Sequence, residues 1–141
     1  MTQFTFPRIS LGLVGATFAI LGIAFLVAPN EMAAIVGLET RRLRPLVEIR
    51  AMYRGFELGL GIFFLVAAIR TRWIRAALAA QILGLAGLAF GRIVGMALSQ
   101  PDRLMMAFAT IEIAGAALGA AAFRVAKTAH MNSRSDRRKY D

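Results

Sequence analysis

The chain predicts an all-α fold, an integral membrane bundle of four transmembrane helices with the N- and C-termini cytoplasmic. Three observations carry this. Of 141 residues, 58% are hydrophobic, and the mean hydropathy is +0.63, more apolar than a soluble domain of this length needs to be. The apolar residues gather in four stretches, each of about the length a helix needs to cross a hydrocarbon core of ~30 Å. The breaks between them are built from Arg, Pro, Asn, Ser and Asp, residues that stop helices or stay in the headgroup layer.

The first span covers residues 9–28, carries no charge and ends at Pro29-Asn30. A short apolar run near an N-terminus can be a signal peptide, but a proline directly after Ala28 makes a poor cleavage site, so a retained helix is expected. The second span, 50–69, is entered through Glu48, Arg50 and Arg54 and stopped by Arg70-Thr71-Arg72. The third, 74–98, is interrupted only by Arg75, Gln81 and Arg92. Ser99-Gln100-Pro101-Asp102 then makes a tight turn. The fourth, 104–125, is broken only by Glu112 and Arg124. Residues 1–127 thus read as one transmembrane domain, and 128–141 as a basic, polar tail, solvated and frayed.

Loop charge sets the direction. With the N-terminus inside, Arg8, Arg70, Arg72, Arg75, Arg124, Lys127 and four basic residues of the tail face the cytoplasm, against Arg41, Arg42, Arg44 and Arg103 outside. The excess of Lys and Arg belongs on the cytoplasmic side. The outer loop from Asn30 to Pro45 places Met32, Ile35, Val36 and Leu38 ahead of its arginines. That pattern suits a short helix in the headgroup layer or an ordinary basic loop.

Composition excludes several functions. The chain has no cysteine and one histidine, His130 in the tail, so thiolate chemistry, iron–sulfur clusters and multi-histidine metal sites are ruled out. No metal and no cofactor is expected. A net charge of +9 raises nucleic-acid binding, but the cations sit at span ends and in the tail rather than on one folded face. Anionic membrane lipids are the simpler partner.

Twelve of the thirteen glycines lie within the spans. Gly87, Gly91 and Gly95 recur every fourth residue in the third, extended by Gly84; the second has Gly55 and Gly59, the first Gly12, Gly15 and Gly22, and the fourth Gly115 and Gly119. Such spacing lets helix backbones approach closely. The expected use is packing within the bundle; the sharper alternative turns the Gly87/Gly91/Gly95 stripe toward a second subunit.

The informative charges are those a membrane should exclude. Arg50, Arg54 and Glu57 share one helix face with Gly61, at spacings that return every turn. Entering from outside near Arg50, the second span carries Glu57 roughly 10 Å deep; Arg92 lies about 9 Å and Glu112 about 12 Å from the same surface. Groups from three helices thus arrive at one level. Charges at such depth normally face the protein interior with partners, and bidentate Arg–carboxylate pairs are expected. Tyr53, on the neighbouring side, adds a phenol donor. The cluster has two uses: a site for an anionic small molecule or lipid headgroup, or a set of ion pairs that fixes helix register.

The run Glu48-Ile49-Arg50-Ala51-Met52-Tyr53, followed by Gly55 and the Gly59/Gly61 pair, resembles a bacterial family of small four-helix membrane proteins, domain of unknown function family 4345. Gly91-Arg92 and the lone Glu112 resemble the same pattern. The resemblance covers nearly the whole chain before the tail. The family pattern has a second glycine where this chain has Arg54, which makes Arg54 a local addition and leaves Arg50, Glu57, Arg92 and Glu112 as the shared set. It implies the fold and a membrane location and no activity.

Function is accordingly expected to be non-enzymatic. No Ser or Thr sits beside a plausible base in the spans, and both carboxylates are expected to be committed to arginines. Binding of an anion or headgroup comes first. An accessory or structural subunit of a larger membrane complex is the alternative, and a small proton- or anion-coupled transporter acting as a homo-oligomer is the third reading, since four helices are few for a monomeric carrier. The expected location is the bacterial inner membrane, multi-pass.

Overall fold

The structure, a computed structural model, describes residues 4–35, 55–98 and 103–137. These residues form helices and no strand: α1 (Thr5–Val27), α2 (Pro29–Ile35), α3 (Glu57–Ile69), a 3-10 turn (Thr71–Trp73), α4 (Ile74–Leu98) and α5 (Arg103–Arg137). Three helical segments, Thr5–Val27, Thr71–Leu98 and Arg103–Thr128, are long and apolar enough to cross a membrane. Residues 55–69 are the described part of the expected second span, and α3 within it has 13 residues, fewer than a crossing needs. Its predicted start, with Arg50, Tyr53 and Arg54, lies outside the described residues, as do most of the first outer loop and the turn from Ser99 to Asp102.

Local chemistry explains the ends. Pro7 sits in the first turn of α1, where its missing N–H is tolerated, so the helix starts ahead of the apolar run. Pro29 cannot donate, and the helical ladder breaks at Ala28. Hydrogen bonds from Ala28 N to Ala24 O (2.9 Å) and from Met32 N to Ala28 O (3.0 Å) continue on either side, and α2 takes up the start of the outer loop as a short helix. Arg70 is extended (φ −101°, ψ 96°), which separates α3 from the 3-10 turn, and Trp73 N closes that turn on Arg70 O at 2.9 Å. The fourth span was expected to stop near Val125 and fray beyond Lys127; α5 instead runs to Arg137. No Gly or Pro follows Gly119 before that point, and Ala, Lys, Met and Arg hold the helix at little cost.

The chain divides into two packing units, Gly12–Val66 and the remainder, Met1–Leu11 with Ala67–Asp141. In the first unit α1 and α3 meet backbone to backbone. A Cβ on Gly61 would lie 2.5 Å from Ala19 N, one on Gly15 3.0 Å from Leu65 N, and one on Gly22 2.8 Å from Leu58 N. Phe64 is buried in this unit and meets Phe18 edge to face, centroids 6.1 Å apart.

In the second unit α4 and α5 form an antiparallel hairpin, since Arg75 meets Phe123, Leu85 meets Gly115 and Arg92 meets Glu112. The buried residues of α4 are Ile74, Ala77, Leu78, Gln81, Leu85 and Ala89, one stripe at helical spacing. Ala109, Ala122 and Ala126 are the buried apolar positions of α5, small enough to bring the helices close. Large apolar side chains such as Ile20, Leu83, Phe90, Leu98 and Ile111 are turned outward. Two exposed hydroxyls in the apolar lengths are satisfied within their own helices: Thr17 Oγ1 donates to Leu13 O (3.0 Å) and Thr110 Oγ1 to Met106 O (2.8 Å). Both habits suit a surface that meets lipid.

Among the described residues, the glycines expected to pack divide into two sets. A Cβ on Gly55, Gly59, Gly84, Gly87, Gly91 or Gly95 would meet no described atom within 4 Å outside its own helix. The close approaches belong to Gly15, Gly22, Gly61, Gly115 and Gly119. On α4 the reason is angular: at about 100° per residue the Gly84/Gly87/Gly91/Gly95 stripe lies roughly a quarter-turn round from the stripe that faces α5.

Candidate functional site

Two polar constellations lie within the α4/α5 unit. The first joins Arg92 and Glu112. Arg92 falls on the continuation of the α4 stripe that faces α5, and Glu112 is buried on α5. Arg92 Nη2 donates to Glu112 Oε1 at 2.6 Å, and Nε donates to Oε2 at 3.1 Å and Oε1 at 3.2 Å. This is a two-pronged guanidinium–carboxylate pair, the strongest common form of charge-assisted hydrogen bonding. Phe108 stands one turn before Glu112, and the Arg92 Cζ lies 5.2 Å from its ring centroid, within cation–π range. One turn of α5 thus offers the arginine both a carboxylate and an aromatic face.

The two partners are covered unequally. The Glu112 side chain is 10% exposed and that of Arg92 31%. Seventeen residues of α4 separate Arg75 from Arg92, about 26 Å along a helix, nearly the full ~30 Å of a hydrocarbon core.

The second constellation was missed in the sequence, where Gln81 is a mere interruption and Ser10 passes without notice. Both are buried. Gln81 Nε2 donates to Gly115 O at 2.9 Å and to Ser10 Oγ at 3.2 Å, and Ser10 Oγ lies 3.3 Å from Gln81 Oε1. The amide ties the start of α1 to α4 and α5. Gly119 makes room for it, since a Cβ there would lie 2.9 Å from Gln81 Nε2. The only signal in the sequence was a polar amide facing small residues, visible once the helices are paired.

Of the expected cluster, Arg92 and Glu112 are brought together. Arg50, Tyr53 and Arg54 lie outside the described residues. Glu57 opens α3 in the other unit, half-buried, and its Oε2 finds no hydrogen-bond partner among the described residues. No group of three His, Asp or Glu gathers among the described residues in a way that would hold a metal ion.

No curated protein and no solved structure matches the chain. The sequence pattern of one family, described as a domain of unknown function (DUF4345), matches residues 6–129. The match takes in α1, α4, the apolar length of α5 and, within them, Ser10, Gln81, Arg92 and Glu112. The chain belongs to the DUF4345 family.

Proposed function

We propose that this is a four-span protein of the bacterial inner membrane, termini in the cytoplasm, that binds an anionic small molecule or lipid headgroup through Arg92 and catalyses nothing. The observation that carries the reading is the unequal cover of the ion pair, an arginine one-third exposed against a carboxylate nine-tenths buried. A pair kept only for helix register gains nothing from an exposed cation. A pair that receives an anion needs one, near the membrane surface, and held in place. Phe108 and Glu112 supply that placement. Two-pronged recognition of carboxylate or phosphate is what a positioned guanidinium does well.

Native mass spectrometry of protein extracted in mild detergent tests this. The reading predicts a discrete anionic mass bound in stoichiometric amount and lost in Arg92→Gln. A wild-type protein that carries no such mass, or an Arg92→Gln variant that keeps it, overturns the reading.

The second reading, an accessory or structural subunit, is favoured by one observation. The Gly84/Gly87/Gly91/Gly95 stripe, which meets no described residue outside its own helix, borders the exposed Leu83, Phe90 and Leu98 of the same helix, a surface another helix can approach closely. Under that reading the protein leaves the membrane in company, and the Arg92–Glu112 pair serves register.

A further inference from the structure

Arg8, Arg70, Arg72, Arg75, Arg124 and Lys127 are all exposed, and all belong to one packing unit. Two contacts draw their segments to the same end of it. Arg8 Nη2 donates to Thr71 Oγ1 at 3.1 Å, which brings the start of α1 to the turn before α4. The Arg75 guanidinium lies 5.9 Å from the Phe123 ring centroid, which brings the start of α4 to the part of α5 that carries Arg124 and Lys127. The Arg72 guanidinium lies 5.9 Å from the Trp73 ring centroid, and Trp73 is itself partly exposed.

Among the described residues these cations form no ion pair with an acid. Neither residues 4–30, nor 58–101, nor 113–135 contain an Asp or Glu, so nothing within these segments neutralises them. Elsewhere on the same unit Arg92 is matched by Glu112. Like charges gathered without counter-charge repel unless an anion from outside settles among them. Two of the arginines are steadied by aromatic rings and one by a hydroxyl, which lowers the entropy lost when an anion is gripped. Tryptophan beside arginine at the end of a membrane-length helix is the composition of the headgroup layer.

We propose that this end of the α4/α5 unit is a binding site for the phosphate of an anionic phospholipid headgroup, held by Arg8, Arg72 and Arg75 with Arg124 and Lys127 beside them. Basic pockets between the helices of a bundle on the cytoplasmic side take such headgroups. The site rests on the membrane reading given above but not on anion binding at Arg92, which stands about 26 Å further along α4.

The test titrates the full-length protein, delipidated in mild detergent, with diphosphatidylglycerol and with phosphatidylcholine, read by native mass spectrometry. Wild type prefers the anionic lipid. Each cation removed weakens it about fivefold, and Arg8→Gln/Arg72→Gln/Arg75→Gln together on the order of a hundredfold. The matching triple lysine variant keeps the preference, and Arg103→Gln leaves it unchanged. Should the triple glutamine variant fail to insert, Arg75→Gln alone decides by its own fivefold loss. Equal binding of both lipids by wild type overturns the proposal. So does undiminished affinity in a folded glutamine variant, or a loss as large in Arg103→Gln. Failure here leaves the Arg92 reading standing, because that reading is scored on the mass that leaves the membrane with the protein and is lost in Arg92→Gln, not on lipid added back to the Arg8, Arg72 and Arg75 variants.

Discussion

The same substitution, glycine to alanine, should have opposite signs at two positions one helix apart. At Gly61 the added methyl would lie 2.5 Å from Ala19 N and 2.9 Å from Gly15 O. Ordinary contact begins near 3.4 Å, so α1 and α3 must separate by close to 1 Å, and both obstacles are backbone that cannot rotate away. Overpacking of this kind costs about 1–3 kcal/mol, and rigid backbone puts Gly61→Ala at the upper end. Alanine returns ~1 kcal/mol of helix propensity, for a net loss of about 2 kcal/mol. At Gly87 no described atom outside its own helix lies within 4 Å, and only the propensity gain of up to ~1 kcal/mol remains. Unfolding of the monomer in mixed micelles by titrated SDS, followed by helical circular dichroism, reads both. The expected gap is about 3 kcal/mol with Gly61→Ala below wild type. Equal losses at the two positions, or a Gly61→Ala variant as stable as wild type, would refute the packing argument.

Further outcomes follow from the other contacts. Gly119→Ala should push the Gln81 amide off Gly115 O and Ser10 Oγ and lose about 0.6–1.7 kcal/mol, the range for interhelical hydrogen bonds in membranes. In Gln81→Ala the space is vacated, so a second change at Gly119 should add little; additive losses in the same SDS titration would contradict the shared pocket. For topology, Thr128→Cys in this cysteine-free chain should resist membrane-impermeant thiol reagents added to intact cells and react once the membrane is opened. Reaction in intact cells would reverse the assigned direction.

Much of the helical layout was legible because membranes impose simple rules. The start and stop of α4 were found at Ile74 and Leu98 because Arg70-Thr71-Arg72 and Pro101 bracket a long apolar run. Arg92 and Glu112 were placed at one depth by counting rise per residue, and the structure joins them. What stayed hidden depends on which faces meet. Spacing made Gly87/Gly91/Gly95 the most regular stripe, yet regularity does not say what lies opposite; the irregular set Gly15, Gly22 and Gly61 lies against backbone. Gln81 and Ser10 stand 71 residues apart, and neither carries a charge to announce a partner. The far end of α5 was read as frayed because its side chains turn polar, although polarity alone does not end a helix that contains no Gly or Pro.

The central claim, that Arg92 receives an anion which Glu112 only positions, is tested most directly by comparing two neutralised variants in one titration with an anionic lipid. If the claim holds, Arg92→Gln loses the bound anion while Glu112→Gln, with a competing carboxylate removed, retains or strengthens it. If the pair serves register alone, the two variants unfold alike and neither changes what is bound, and that result would contradict the account.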